Sequence, residues 1–485
     1  MTRRTSRSIA VLAVAALVAI TACGDDDDSA DTADTADAAD TAPTATEAAD
    51  GTTPVATDAV ADTAGGSASS SAPSEDTGDT EATTAGTGGG GGGSGWAVNT
   101  DDCVDPDRAN APIEGTVDIG SAAPLSGGPA ATAFAPAIAG MEAYIDFANE
   151  NDLLPGHDIT ITYADDKYDP SLTPGAISSA LDNGADLISG IVGTPPNLAV
   201  RDTLNEECIP QLEAGSGDPA FGEAAEYPWT MGGNLPYDIE AKAYAENVAA
   251  EFPDGASAAL FYVNNDAGLV FKEAFEEAAG GANIDIVDDQ TIEAAETAPP
   301  SAQVASIAGN APDVIVAFPL GAQCPTFLNE IANAKAANSG WEPRVYLTNT
   351  CASPLILGAA GPAANGIYTS SPYAAVDVTN PENQSLPGVA EYLSYMESKG
   401  LSDTVPTSVA GWVWGQVTVE ILRQAAESPE GLTQASIINA ARSLDYVPTV
   451  GVDGVTYKTS GEEDAYVVEA VQIYQYDAET KFLNA

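Results

Sequence analysis

The chain has 485 residues, 72 acidic against 15 basic, and a formal net charge of −57. That balance excludes nucleic-acid binding through clustered phosphate contacts, which need Lys and Arg patches, and it disfavours docking on an anionic membrane through a basic surface. A single histidine excludes a two-histidine metal site or an H-E-x-x-H protease motif, while an apolar fraction of 44% supports a large core in a chain long enough for two to four domains.

In chain order, Met1 to Ser8 carries Arg3, Arg4 and Arg7, and Ile9 to Ile20 is apolar throughout. This is the charged and apolar pattern of an export signal, too short for a bilayer core that needs about 20 residues. Ile20-Thr21-Ala22-Cys23 resembles a bacterial lipobox, which implies cleavage before Cys23, so that residues 1–22 are a lipoprotein signal peptide and Cys23 carries a lipid. A plain signal peptide with an incidental cysteine is the alternative, and the Arg3-Arg4 pair lacks the apolar residues expected of twin-arginine export.

Residues 23–100 form an acidic tether of Gly, Ser, Thr and Ala, with 16 acids and no base between Gly24 and Gly95. Such a segment cannot bury enough surface to offset its ordering entropy and is expected to be disordered. About 70 flexible residues span roughly 50 Å, a reach that charge repulsion extends. The folded part is acidic as well. Two readings stay open: a soluble secreted surface, or adaptation to a salty habitat in which counter-ions screen self-repulsion.

From Ile113 onward strands and helices alternate. Strands are predicted at Thr116 to Ala123, Ile159 to Ala164, Leu187 to Val192 and Ile209 to Leu212. The helices between them open at Pro136, near Ser171 and at Leu198. The pattern restarts with a helix over Tyr237 to Glu251 and strands at Ala258 to Val263, Ile284 to Ile292, Val314 to Phe318 and Arg344 to Thr348. Helices over Thr407 to Ser428 and Gln434 to Leu444 follow, then two late strands. The fold class is therefore α/β, two doubly wound parallel-sheet lobes with a cleft between them.

At this point a family resemblance carries weight. Val117-Asp118-Ile119-Gly120, followed by Pro124-Leu125-Ser126-Gly127, is similar to the opening of the type I periplasmic binding proteins of branched-chain amino acid ABC transporters. Asp165-Asp166-Lys167-Tyr168-Asp169-Pro170, Ile209-Pro210-Gln211 and Ala311-Pro312-Asp313-Val314 fit in order and spacing. The resemblance implies a three-crossing hinge, with crossings near Met231, Tyr373 and Leu444. Lobe one is then residues 101–231 plus 381–444, and lobe two residues 232–373 plus 445–485.

The resemblance also places the ligand. Loops after the third and fourth strands would hold a polar head through backbone N–H groups and hydroxyls, which nominates Gly193, Thr194, Ser216 and Gly217, with Ser126 from the first loop. Plain turn chemistry accounts for the same residue types. Lobe two would close with Tyr237, the segment Phe318 to Gln323 including Leu320, Asn349, and Trp412 or Trp414. Ala267 stands where amino-acid binders often carry Tyr, and Asn349 where an acid often grips the ammonium. The expected ligand is a small polar solute: an amino acid, an amide or a small carboxylate. No cofactor and no metal are expected.

Four cysteines remain beside Cys23. Cys103 and Cys208 each precede a strand at one end of the first sheet, and Cys324 and Cys351 follow successive strands of the other lobe. The expected disulfides are Cys103–Cys208 and Cys324–Cys351; free buried thiols are the alternative. His157 reads as an exposed turn residue. The leading function is a membrane-anchored, monomeric substrate-binding protein that delivers solute to ABC permease subunits. A sensor using the same cleft and, more remotely, a carboxylate-based hydrolase are the alternatives.

Overall fold

The structure, a computed structural model, describes residues 95–370 and 377–484. The signal peptide, Cys23, nearly all of the tether and the crossing near Tyr373 lie outside the described residues. The first stretch runs α1 (Pro106–Ala109), β1 (Thr116–Ala123), α2 (Gly128–Glu150), β2 (Asp158–Asp165), α3 (Thr173–Asp182), β3 (Leu187–Ser189), α4 (Thr194–Glu206), β4 (Gln211–Ala214) and β5 (Thr230–Gly232). These strands form one parallel sheet in the order β2-β1-β3-β4-β5. β1 has helices against it and is buried along almost its whole length, which is why it reads as an apolar run rather than as an alternation.

The second stretch runs α5 (Tyr237–Glu251), β6 (Ala256–Val263), α6 (Asp266–Gly281), β7 (Ile284–Ile292), α7 (Ser301–Asn310), β8 (Val314–Phe318), α8 (Gln323–Ala337), β9 (Arg344–Leu347), α9 (Pro354–Ala360) and β10 (Tyr368–Ser370). The chain then adds α10 (Pro387–Ser398), α11 (Val405–Ala426), α12 (Gln434–Ala441), β11 (Asp445–Tyr446), β12 (Tyr457–Lys458), β13 (Ile473–Asp477) and β14 (Phe482–Asn484). The second sheet has the order β14-β13-β10-β9-β8-β6-β7. It is parallel except at one edge, where β13 and β14 are antiparallel. On the other edge β7 alternates buried and solvated positions and carries three acids, which protect an edge from stray pairing.

α10, α11 and α12 return to the first lobe. Val389, Tyr392, Trp412, Val417 and Ile437 share one core with Ile119, Leu187 and Leu212. α11 is buried nearly all round, so it shows little amphipathic stripe. Each fully buried Val, Leu or Ile on it stabilises by roughly 1.5–3 kcal/mol. It crosses α2 at very short range, because Gly140 and Gly411 leave space for the partner helix's backbone: a Cβ at Gly411 would lie 1.7 Å from the Ala137 carbonyl oxygen.

Three expectations shift. α2 starts at Gly128 and carries Pro136 inside it. Pro129 already supplies a preset φ in the first turn, and the buried Ala130, Ala133, Phe134 and Ala137 offset the interior proline's lost hydrogen bond. α4 begins at Thr194, four residues before Leu198, with Gly193 as its N-cap. Finally, Val450, Tyr457, Val467 and Val468 pack in the core of lobe one, so residues 445–468 sit with the first lobe instead of the second. Their apolar side chains are sparse and irregularly spaced, so a lobe is not legible from them. The chain crosses to the second sheet only before β13.

Both expected disulfides are present. Cys103–Cys208 ties the segment before α1 to the base of β4, and Cys324–Cys351 joins the start of α8 to the loop after β9.

Candidate functional site

In parallel α/β sheets the loops at the carboxyl ends of strands are where ligands meet backbone. After β3 the chain turns through Gly190 and Gly193, both at positive φ, and enters α4 at Thr194. Gly193 has a second requirement, since a Cβ there would lie 2.3 Å from the Tyr168 ring. The Asn197 side-chain amide donates to the carbonyls of Ile191 and Gly193 at 2.8 Å each and fixes the turn.

Within β4 the register against β5 shifts between Gln211 and Ala214, and Glu213 in that interval has φ of 47°. The next loop is laced to the first: the Gly193 N–H donates to the Gly215 carbonyl at 3.0 Å and the Gly215 N–H to the Ile191 carbonyl at 2.8 Å. The lacing brings two hydroxyls together. Thr194 Oγ1 and Ser216 Oγ lie 2.6 Å apart, both buried.

Tyr237 covers this pair from the first residue of α5. Its N–H donates to the Gly217 carbonyl at 2.6 Å. Its hydroxyl lies within hydrogen-bonding reach of Thr194, Ser216 and the Gly217 amide. Gly217 has no side chain because Tyr237 Cδ1 would stand 2.6 Å from a Cβ there. The ring packs edge-on against Phe318 at 4.9 Å. Burial raises the pKa of the Tyr237 hydroxyl, and the three neighbouring donors pull it partly back.

Thus Gly193, Thr194, Ser216, Gly217 and Tyr237 form one cluster. Trp414 is adjacent, its ring 3.3 Å from where a Gly215 Cβ would be, and is fully buried in a core that spans both lobes. Leu320 lies in that same core. Asn349 lines a cavity of about 20 Å³ with Phe134, Ala137, Thr350 and Thr407, in the seam between α2, α11 and lobe two. Trp412 stacks among Tyr144, Phe147 and Tyr395 and is a core residue of lobe one. Ser126 is exposed, with its hydroxyl and amide both bonded to Asp165.

The lobes also touch away from the cluster. The Ala322 N–H donates to the Pro129 carbonyl at 3.2 Å, and the Ser353 and Thr407 hydroxyls lie 2.8 Å apart.

Sequence reasoning missed three acids or aromatics here. Tyr168 sits over Gly193 at positive φ, in the motif already singled out. Glu240 falls on the buried face of α5 with Tyr237, Ala241 and Tyr244, a spacing that was legible. Glu213 is fully buried, with no partner for either carboxylate oxygen, and burial pushes its pKa well up. Nothing in the sequence signals the register shift there. Asp218, 7% exposed, is also held above the usual carboxylate range, first by burial and then by the negative field of Asp266 across the cleft.

The cluster offers hydrogen bonding. The Thr194 and Ser216 hydroxyls bond to each other, and neither is shown bonded to a histidine or carboxylate that would act as a base. Among the described residues no group of three His, Cys, Asp or Glu side chains is placed to hold a metal ion, and no helix is long and apolar enough to cross a membrane. His157 is in a turn, with Nδ1 3.1 Å from the Gly115 carbonyl.

Two α/β lobes, crossed repeatedly by the chain and meeting over a buried polar cluster, define a two-lobed binding protein. The family model described as periplasmic binding protein matches residues 116–481, and the chain belongs to that family. It is a periplasmic solute-binding protein, of a family whose members bind rather than transform their solutes. A search of curated proteins finds no relative. Solved structures share the fold. A branched chain amino acid ABC transporter protein from Thermus thermophilus with bound valine has a TM-score of 0.67 at 19% identity, over 76% of this chain and 95% of that one. A solute-binding protein from R. palustris in complex with benzoate has a TM-score of 0.62 at 19% identity, over 74% and 93%. A fatty acid ABC transporter substrate-binding protein from Thermomonospora curvata has a TM-score of 0.62 at 18% identity, over 77% and 93%.

Proposed function

We propose that this chain is the substrate-binding component of an ABC importer, held at the outer face of the membrane by a lipid on Cys23. It takes up one small polar solute between its lobes and presents the closed form to the permease as a monomer. The observation that supports this reading is the Thr194–Ser216 hydroxyl pair, buried at the strand ends of one lobe and covered by Tyr237 at the entry to the other. A solute seated there would touch both sides of the hinge, and only such differential contact can favour closure. Gly193, Gly217, Leu320, Asn349 and Trp414 would shape the rest of the pocket. Ser126, bonded to Asp165 on the exterior, would take part only after rearrangement.

The test is a thermal-shift screen of the exported chain against amino acids, amides, urea and small acids. A specific solute should raise the melting temperature. Thr194→Val with Ser216→Ala should abolish that shift while leaving the unliganded transition in place. A shift that survives the double substitution would place the solute elsewhere.

A further inference from the structure

The backbone hydrogen-bond donors around the polar cluster are nearly all used, and this restricts the head group that can bind there. A helix N-terminus attracts an anion through the free N–H groups of its first turn. α4 opens Thr194-Pro195-Pro196, and the two prolines have no N–H. The next amide, Asn197, donates back to the Gly193 carbonyl at 3.2 Å, and Gly193 donates to Gly215.

The second loop is equally closed. The Ser216 N–H donates to the Ala214 carbonyl at 2.7 Å. The Asp218 N–H donates to Ser216 Oγ at 3.0 Å, and the Ala220 N–H to Asp218 Oδ1 at 2.9 Å. The Gly217 N–H faces the Tyr237 hydroxyl. From the first loop, the Leu125 and Ser126 amides both donate to Asp165. From lobe two, the Asn349 N–H goes to Glu240.

Thr194 is left as the one amide of the α4 first turn available to an incoming carboxylate. The one cation on α4 does not replace the missing donors. Arg201 is turned to the Ala220 carbonyl, Glu223 and the Tyr227 ring. Three hydroxyls can satisfy their own O–H groups within the Thr194–Ser216–Tyr237 triangle; since Ser216 Oγ also takes the Asp218 N–H and the Tyr237 hydroxyl faces the Gly217 N–H, the lone pair left for a solute is on Thr194 Oγ1. Asp218 and Asp266 add negative field from both lobes.

We propose that the solute presents an N–H donor head, uncharged or cationic (a primary amide, a urea or an amine), to Thr194 Oγ1 at the Thr194–Ser216–Tyr237 triangle, and that free carboxylates are rejected at this end. The inference rests on the cleft-binding reading above and narrows it.

The test uses matched pairs that differ only at the head: isobutyramide and isobutyrate, benzamide and benzoate. Each is titrated calorimetrically into the full exported chain near neutral pH. At least one N–H-headed member should bind tenfold or more tightly than its acid partner. Pro195→Ala with Pro196→Ala restores two first-turn donors and should raise benzoate affinity at least tenfold. An acid that binds as tightly as its amide, silence from every amide, or a double variant without gain for benzoate would each overturn the assignment. Lobe closure, read by energy transfer between dyes on the two lobes, separates the failures. Acids that bind and close the lobes would sink the head-group assignment alone, whereas a panel in which nothing binds or closes would sink the cleft reading too.

Discussion

The Glu240 carboxylate accepts the Asn349 amide at 2.7 Å, joining the helix that opens with Tyr237 to the loop after β9. The same buried carboxylate accepts from the hydroxyls of Ser370 at 2.6 Å, Tyr244 at 2.8 Å and Thr348 at 3.0 Å. Ser370 is the last residue of β10. One side chain thus sets three elements of lobe two around the cleft. Burial raises its pKa, and the four donors oppose that rise.

Glu240→Gln keeps the shape but turns an NH₂ toward groups that are themselves donors. Hydrogen bonds to a charged group contribute about 1.5–3 kcal/mol, so urea unfolding should show a loss of about 2–3 kcal/mol. Hydrogen exchange at the Asn349 amide should quicken with it. A variant as stable as the parent, with Asn349 equally protected, would remove Glu240 from this role.

Glu213 gives a prediction of the opposite sign. Its folded pKa is raised by burial, so the folded state binds the proton more tightly than the unfolded chain does. Stability from this group is full below the unfolded value of about 4.3 and is lost as pH rises toward the folded value, at about 1.4 kcal/mol per pH unit. Glu213→Gln removes the proton. The variant should match the parent near pH 4 and become progressively more stable above it. Parallel stability profiles for the two proteins would contradict the assignment.

The α2–α11 crossing is set by glycine. A Cβ at Gly140 would lie 1.8 Å from the Ser408 carbonyl oxygen, a backbone atom that cannot swing away. Gly140→Ala or Gly411→Ala should cost more than about 3 kcal/mol, as overpacking at a rigid contact does. Gly280→Ala, with open space around it, serves as the control and should be near neutral. Equal melting of all three would show that the helices do not approach this closely.

The disulfides close chain segments of unequal length, with separations of 105 and 27 residues. Chain entropy assigns about 5 kcal/mol to the longer and about 3.5 kcal/mol to the shorter. Serine replacement of the Cys103–Cys208 pair should therefore destabilise more than replacement of Cys324–Cys351. The reverse order in urea melts would mean that the unfolded chain is already compact around the longer link.

Much of the fold was readable because parallel strands covered on both faces are short apolar runs: β1 and α5 fall where their periodicity places them. Boundaries failed where a glycine or proline competes with the pattern. Pro136 looks like a helix start but lies inside α2, since Gly128-Pro129 opens that helix earlier. Of the site, Thr194 and Ser216 were legible as hydroxyls at strand ends, and the structure brings them together. Ser126 had the same local signature and is drawn instead to Asp165. Sequence spacing carries no information about which carboxylate captures a hydroxyl. The Trp412 and Trp414 pair shows a related limit. Both are aromatic on one buried helix, but they point to different cores, one inside lobe one and one across the seam.

The central claim is that the lobes close on a solute held at the Thr194–Ser216 pair. Dyes on Ser179→Cys in α3 and Glu277→Cys in α6, both exposed positions, report the distance between lobes. Adding the solute that gives the largest thermal shift should move single molecules into one high-transfer population, and Thr194→Val with Ser216→Ala should leave them where they were. Transfer that stays constant while that solute is bound, or moves equally in the double variant, would contradict the account.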